Sequence, residues 1–380
     1  MRVLIALPCL INGGTERQTL MLSSVLRSCG HAVMVLSYFE HESSMVEEFK
    51  RAGTDVILLN LDRKINPVSF ILRIRREIRS VKPDIVHVQY MAPGALSVMA
   101  ARLAMVRRVY ATVHYPYTKY HRFYAKFILR SVALLTSCFI SVSKSVEKSW
   151  FGSSTFLDPG LSQSHLPKHF TIYNSIDIER IDSLLSVLSP EVLKKEIGLP
   201  ASKIIIGTVS RLRHEKGIDI LMDSFDGLIR EISEVHLIIV GDGSDRIALS
   251  DQTDRLGIHE SVTFWGEAEW ETAIRFLGIM DIVVVPSRFE GFGLTAAEAM
   301  AAGKPLIASD VFGLREIVSH NETGLLFPCG DLEKLKSALA DLCHDSSKRL
   351  SMGLEGRKRA ESLFGVAEFK NSIKLLYSCH

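Results

Sequence analysis

Short apolar runs rich in β-branched residues recur along this chain, with helix-length stretches between them. In the first half they cover residues 3–7, 32–37, 56–60, 84–89, 109–114 and 139–143; in the second, 204–210, 235–241, 262–266, 281–286, 305–309 and 324–328. Runs of this length without alternation predict strands buried on both faces, in parallel βαβ units. Each half holds enough of them for one doubly wound sheet with right-handed crossovers. At 380 residues the chain also exceeds one ordinary core. The boundary falls after residue 173: residues 150–169 are rich in Gly, Ser and Pro and read as a loop, Asn174-Ser175-Ile176-Asp177 is a turn signal, and 182–199 reads as a polar helix. Near the C-terminus Val366, Phe369, Ile373 and Leu376 recur at helical spacing and predict an amphipathic closing helix. The expected organisation is a domain over 1–173, a linker over 174–203, a second domain over 204–361 and a C-terminal helix over 362–380.

Composition narrows the class. With 47% hydrophobic and 23% charged residues the chain is globular. Its cysteines (Cys9, Cys29, Cys138, Cys329, Cys343, Cys379) are scattered, with no CxxC pair or zinc spacing, which fits buried thiols in a reducing cytoplasm. Residues 1–11 read as a first strand and not a signal peptide, because Pro8 interrupts the apolar run and Asn12-Gly13-Gly14 stands where a cleavage site would be. No run of 18 apolar residues occurs.

The net charge of +2 hides an asymmetry: between residues 85 and 146 there is no Asp or Glu, while Arg102, Arg107, Arg108, Lys119, Arg122, Lys126, Arg130 and Lys144 all lie there. Just upstream, Arg63, Lys64, Arg73, Arg75, Arg76, Arg79 and Lys82 face a single Glu77. Residues 117–130 interleave Tyr117, Tyr120, Phe123, Tyr124 and Phe127 with these cations, a composition that suits an anionic membrane surface, with a solvated face over core aromatics as the alternative. No nucleic-acid reading motif accompanies the basic stretch.

The densest chemistry lies in residues 283–308, VVVPSRFEGFGLTAAEAMAAGKPLIA: a strand, a loop with Gly291 and Gly293, a helix-forming run, and a second strand. The glycines let backbone N–H groups approach an anion, and the fresh helix N-terminus presents unpaired donors to phosphate. Glu290 and Glu298, eight positions apart, can accept from sugar and ribose hydroxyls. Upstream, residues 204–219 (IIIGTVSRLRHEKGID) place Arg211 and Lys216 just past a strand end, where open α/β sheets bind ligands and where two cations suit a diphosphate. After the first strand, Gly13-Gly14 permits close approach, with Thr15 as the helix cap; this is not GxGxxG, which disfavours a nicotinamide site. His114 ends its strand within the acid-free stretch and is the best placed of the 13 histidines. Asp242 in Gly241-Asp242-Gly243 reads as a structural turn, and Trp265 as a possible neighbour of a base. No Asp-x-Asp stands at a strand end to hold a divalent metal, so metal-independent chemistry is expected.

Together these residues resemble the large retaining glycosyltransferase family numbered four, of GT-B fold. The resemblance runs from Gly13-Gly14 to Gly324-Leu325-Leu326-Phe327-Pro328 and is most specific in residues 211–217 and in the E-x7-E spacing of Glu290 and Glu298; Asn174-Ser175-Ile176-Asp177 looks like the family's interdomain Asn-Gly-Val-Asp. It implies two Rossmann-like doubly wound parallel-sheet domains facing across a cleft, with the donor nucleotide in the second, the acceptor in the first, and the last helix returning to the first. It implies Arg211 and Lys216 on the donor diphosphate, Gly14 near it, Glu298 on the ribose, and Glu290 with the backbone of Gly291, Phe292, Gly293 and Leu294 on the hexose. His114 would lie near the transferred sugar, although Tyr115-Pro116 replaces the Asp or Gly that often follows it. His114, Arg211, Lys216 and Glu290 are then the candidate catalytic residues, and Glu16, Arg17, Tyr115 and Tyr117 the candidate acceptor contacts. The expected partners are a nucleoside-diphosphate sugar as substrate, with no cofactor beside it, and a glycan or lipid-linked acceptor, which the basic stretch with its interleaved aromatics suggests lies at the inner face of the cytoplasmic membrane. A GT-B epimerase, a hydrolase using the two glutamates and a non-catalytic sugar-nucleotide-binding subunit remain the alternatives.

Overall fold

Every strand pairs parallel to its neighbours in the computed structural model, which describes residues 1–91, 93–119, 121–158, 160, 166–187, 189–200 and 202–378. Tyr120, Cys379 and parts of the 150–169 and 182–203 stretches fall outside these residues. The chain forms two units, one of Met1–Ser175 with the segment from Val366 on, the other of Ile176–Gly365.

The first unit carries β1 (Arg2–Leu7), β2 (Ala32–Ser37), β3 (Asp55–Leu58), β4 (Ile85–Gln89), β5 (Arg108–Val113), β6 (Cys138–Ser141) and β7 (His169–Thr171), in the order β3-β2-β1-β4-β5-β6-β7. The predicted strands all form, their ends shifted by a residue or two. The addition is β7, three residues inside and beside the predicted loop. Its sequence, His-Phe-Thr, is too short to register as an apolar run. Distant side chains hold it: the fully buried Glu147 carboxylate accepts from His169 Nδ1 (2.6 Å), Thr171 Oγ1 (2.7 Å) and the Thr155 amide (3.1 Å).

Between the strands run α1 (Gly14–Ser28), α2 (Ser43–Arg51), α3 (Pro67–Val81), α4 (Gly94–Leu103), α5 (Ala125–Leu135) and α6 (Lys144–Phe151). Their starts follow local rules. The Asn66 side chain accepts from the Ser69 amide ahead of Pro67, and Ser143 accepts from the Val146 amide. At α1 the expectation fails: extended Gly13 is the cap residue and makes no side-chain bond, while Thr15 lies buried in the first turn. Helices α3, α4, α5 and α6 pack side by side in that order.

In the second unit, β8 (Ile204–Val209), β9 (Val235–Val240), β10 (Val262–Gly266), β11 (Ile282–Val285), β12 (Leu306–Ser309) and β13 (Gly324–Phe327) take the order β10-β9-β8-β11-β12-β13. Its helices are α7 (Ile178–Leu185), α8 (Pro190–Glu196), α9 (Ile218–Ile229), α10 (Arg246–Leu256), α11 (Trp270–Ile279), α12 (Leu294–Ala301), α13 (Phe312–Ile317), α14 (Leu332–His344) and α15 (Ser346–Phe364). The polar helix predicted over 182–199 is two helices, because Ser189 caps α8 and Pro190 occupies its first position. Both pack on α11, so residues 176–203 are part of the second unit and do not stand apart as a linker.

The last helix, α16 (Val366–Tyr377), belongs to the first unit, where it packs on α1. Ile373, Leu376 and Tyr377 join the core formed by Leu22, Val25 and Leu26. The buried Tyr377 hydroxyl meets His87 Nδ1 at 2.5 Å, and His87 Nε2 meets Thr112 Oγ1 at 2.7 Å. Burial, aided by repulsion from His114, pushes the His87 imidazole down to about 3, and burial pushes His114 down to about 4. In the unfolded chain each titrates near 6.5, so below that pH the unfolded state binds more protons than the folded one. Stability from the neutral rings is therefore complete above about pH 6.5 and is lost as pH falls toward 4 and then 3. The expected loss is on the order of 3 kcal/mol per ring at the acid end. Urea midpoints measured from pH 8 to pH 4 check it: His87→Gln must flatten the acid limb, and an unchanged slope contradicts the assignment.

Candidate functional site

The second sheet reverses direction beside β8. From β8 the chain steps outward to β9 and β10, then crosses to β11 on the other side of β8. Loops leaving neighbouring strands diverge at such a point and leave a crevice at their carboxyl ends. The two loops here are 210–217 and 286–293, the stretches that carry Arg211, Lys216 and Glu290. Across the crevice Lys216 Nζ lies 2.6 Å from Glu290 Oε2, with both side chains mostly buried. Ser287 Oγ is 3.4 Å from the same oxygen. Arg211, half-buried, stands at the root of the first loop.

Backbone contacts fix the relative position of the loops. Lys216 lies in a 3-10 turn, His214–Lys216, that ends at Gly217 with φ +66°. A Cβ at Gly217 would lie 2.2 Å from the Pro286 carbonyl oxygen, so the turn rests directly on the end of β11. Arg288, two residues before Glu290, clamps it from the other side. Its amide donates to the Glu215 carbonyl (2.8 Å), its Nη1 to the His214 carbonyl (2.6 Å), and its two Nη atoms to the Asp219 carboxylate at 2.8 and 2.6 Å. Burial works to raise the Asp219 pKa, but the bonds and charge of Arg288 outweigh it and hold the carboxyl below its usual range. Asp242, in the loop after β9, serves as a structural turn: its carbonyl accepts from the Leu212 amide (2.9 Å) and its Oδ1 from the Gly243 amide (2.6 Å).

Beyond Glu290 the loop is built from backbone. Gly293, at φ +100°, precedes α12 and provides no side-chain cap, so the first amides of the helix point outward without one. A Cβ on Gly313 would sit 2.4 Å from the Gly291 carbonyl oxygen, which shows how tightly the loop is backed. Phe292 is buried with its ring edge-on to Phe364 (5.4 Å, 90°), so it can offer a ligand its backbone alone. Glu298, on α12, accepts from Trp270 Nε1 at 2.7 Å, and Arg180 lies 5.1 Å over that indole. The two glutamates thus have different partners: Glu290 faces a cation and Glu298 an indole N–H. Trp265 is partly exposed and rests on Phe276 (4.7 Å).

In the first unit the switch point lies between β1 and β4. Gly14 opens α1 after the β1 loop. Glu16 is buried and accepts from Cys9 Sγ at 3.4 Å; burial first, then the Glu16 charge and bond, push that thiol up to about 12. Arg17 is held by Glu48 (2.5 Å) and Asn12 (3.5 Å), so its guanidinium stiffens the Gly-Gly loop. His114, past the end of β5, is buried and lies 2.6 Å from Gln89 Oε1. A neutral ring facing an amide oxygen must donate from Nε2, which leaves Nδ1 as an acceptor. Tyr115 exposes its side chain while its carbonyl accepts from Trp150 Nε1 (2.7 Å). Tyr117 stacks on His121 and meets Trp150 edge-on, with Lys126 Nζ 5.4 Å from its ring centre.

Four residues of this geometry escape sequence reasoning: Arg288, Asp219, Trp270 and Gln89. Arg288 and Asp219 sit inside the two motif stretches, and their nearness to Glu290 and Lys216 was the available signal. Trp270 and Gln89 carry none, since only the fold brings them to Glu298 and His114.

Residues 190–359 match the family described as glycosyl transferases group 1, and residues 12–151 match glycosyltransferase family 4. The lipopolysaccharide core biosynthesis mannosyltransferase LpsB of Rhizobium meliloti is 30% identical over 48% of this chain and 54% of its own length. A GDP-mannose-dependent alpha-(1-6)-phosphatidylinositol monomannoside mannosyltransferase of Mycobacterium tuberculosis is 29% identical over 76% of this chain and 74% of its own. The chain thus spans about half the length of the first of these relatives. Among solved structures, Anabaena HepE in complex with UDP and glucose superposes with a TM-score of 0.82 at 21% identity over 100% of both chains, a likeness of fold.

Proposed function

Because this chain belongs to the group 1, family 4 glycosyltransferases, we propose that it moves a hexose from a nucleoside-diphosphate sugar to a hydroxyl acceptor, with retention at the anomeric carbon and without a metal. The observation that carries this reading is the Lys216–Glu290 pair at the β8/β11 switch point, beside the bare N-terminus of α12. As charge grows on the departing diphosphate, Lys216, Arg211 and the α12 amides supply the positive field that a metal would otherwise provide. Donor binding exchanges the Glu290 carboxylate at Lys216 for phosphate oxygens and frees Glu290 to accept from sugar hydroxyls. Trp270 presets Glu298 toward the ribose by occupying one of its oxygens. In the first unit a neutral His114 accepts from a hydroxyl at Nδ1, with Gln89 fixing its tautomer. The acceptor is read as a lipid-linked or surface-polysaccharide glycan intermediate, in line with the lipopolysaccharide and phosphatidylinositol mannoside relatives.

A thermal-shift screen of UDP- and GDP-sugars tests the donor site, since a ligand at 100 times its Kd stabilises the fold by about 2.7 kcal/mol. Anomeric product analysis by NMR and an EDTA arm test the rest. No shift with any sugar nucleotide, an inverted product, or activity abolished by EDTA and restored by Mg²⁺ or Mn²⁺ would each refute its own part.

A further inference from the structure

We propose that the outer face of α3, α4 and α5 is a docking surface for an anionic lipid bilayer. Helix α5, Ala-Lys-Phe-Ile-Leu-Arg-Ser-Val-Ala-Leu-Leu, is apolar nearly all round, the pattern of a helix buried on every side. It packs inward through Leu129, Val132 and Ala133, yet Phe127 is 74% exposed and Leu134 75%, and Phe123 just before the helix is 87% exposed. These three are four and seven residues apart and form one stripe along the outer side. The stripe begins near Tyr115 and Tyr117, close in sequence to His114. On the neighbouring helices Val68, Leu72 and Leu103 continue the exposed apolar surface, and Met105, held at φ +67°, is 80% exposed at the turn after α4.

Charge identifies the occupant. Acids between residues 63 and 146 are limited to Glu77, paired with Arg73, and Asp84, whose carboxylate accepts from the Arg2 amide (2.7 Å). The cations are many, and four of them, Arg79, Lys82, Arg107 and Arg108, line a cavity of ≈ 930 Å³ together with Asp84, Ile78 and Met105 at the end of this helical layer, a surplus of three positive charges. An apolar stripe flanked by cations, with four more cations gathered around one cavity at its end, matches the interface of an anionic membrane, where each cation adds to partitioning. A neutral partner or a second copy of this chain, whose same face carries the same positive charge, matches it less well.

This inference extends the lipid-linked acceptor reading and is tested apart from it. The full chain is floated with phosphatidylcholine vesicles and with vesicles containing phosphatidylglycerol. Binding is expected to the anionic vesicles only, with release by high salt. The double variants Phe123→Ser/Phe127→Ser and Arg79→Glu/Arg107→Glu should each weaken it by about tenfold or more, while melting temperature and sugar-nucleotide binding stay unchanged. Equal partitioning to neutral and anionic vesicles, none to either, or a dimer that Phe123→Ser/Phe127→Ser converts to monomer without vesicle binding overturns the proposal. Loss of sugar-nucleotide binding with vesicle binding intact would instead overturn the donor-site reading and leave this surface standing.

Discussion

Lys216→Ala lowers turnover by roughly 10²–10³, about 2.7–4 kcal/mol, the scale for removing one preorganised group from developing charge. The ammonium is positioned before any ligand arrives, since Glu290 holds it at 2.6 Å and the Arg288 clamp fixes the turn beneath it. Folding changes little, about 1 kcal/mol, because the pair keeps some contact with solvent. Arg211→Ala belongs on the same scale. Arg288→Ala is expected to weaken nucleoside-diphosphate binding through Lys216, so it should add little in a Lys216→Ala background. Steady-state kinetics with saturating donor, plus that double-mutant cycle, decide the matter. Near-normal turnover in Lys216→Ala removes Lys216 from the site, and additive effects remove the clamp.

Gly217→Ala is the second large effect, and it strikes folding and site together. The residue sits at φ +66°, which costs a side chain about 1–2 kcal/mol. Its Cβ would also stand 2.2 Å from the Pro286 carbonyl oxygen, and that backbone is the end of a central strand and cannot swing aside. Relief by displacement adds about 1–3 kcal/mol, for a total of about 2–5 kcal/mol. The displacement also moves Lys216 relative to Glu290, so sugar-nucleotide affinity should fall as well. Gly257→Ala is the control: φ is +70°, but nothing lies within 4 Å of the added methyl, so it should cost the backbone strain alone. Equal urea midpoints for the two variants would show that the contact with Pro286 yields freely.

Much of the fold is legible along the chain because it rests on local rules. Strands buried on both faces must be apolar throughout, so the inner strands of both sheets announce themselves; the edge strands β3 and β10 carry the same apolar runs although they are only partly buried, and the spacing of Ile373 and Leu376 announces α16. The stretch over 182–199 shows where that reading weakens: its polarity resembled one helix, but the Ser189-Pro190 cap dictated two, and their packing on α11 made them part of the second unit. Strand β7 shows where it ends, since three residues cannot carry a pattern and a carboxylate 22 positions away, Glu147 at His169, holds them.

The candidate site divides in the same way. Sequence determined the residue types at the strand ends, Arg211, Lys216, Glu290, Gly293 and Glu298, because glycine freedom and charge at a βα turn leave a local signature. It also determined the concentration of cations over 63–146. The tertiary structure decided the rest. It brought Lys216 to Glu290 across 74 positions, hung the Lys216 turn from Arg288, gave Glu298 the Trp270 indole, and turned Phe292 into core. It made His114 a neutral acceptor by burying it against Gln89, and Arg17 a strut by pairing it with Glu48. Periodicity and steric preference act between neighbours and can be read in one dimension. Burial, pairing and the pKa that follows depend on which distant groups share a low-dielectric space, and only the packed chain fixes that.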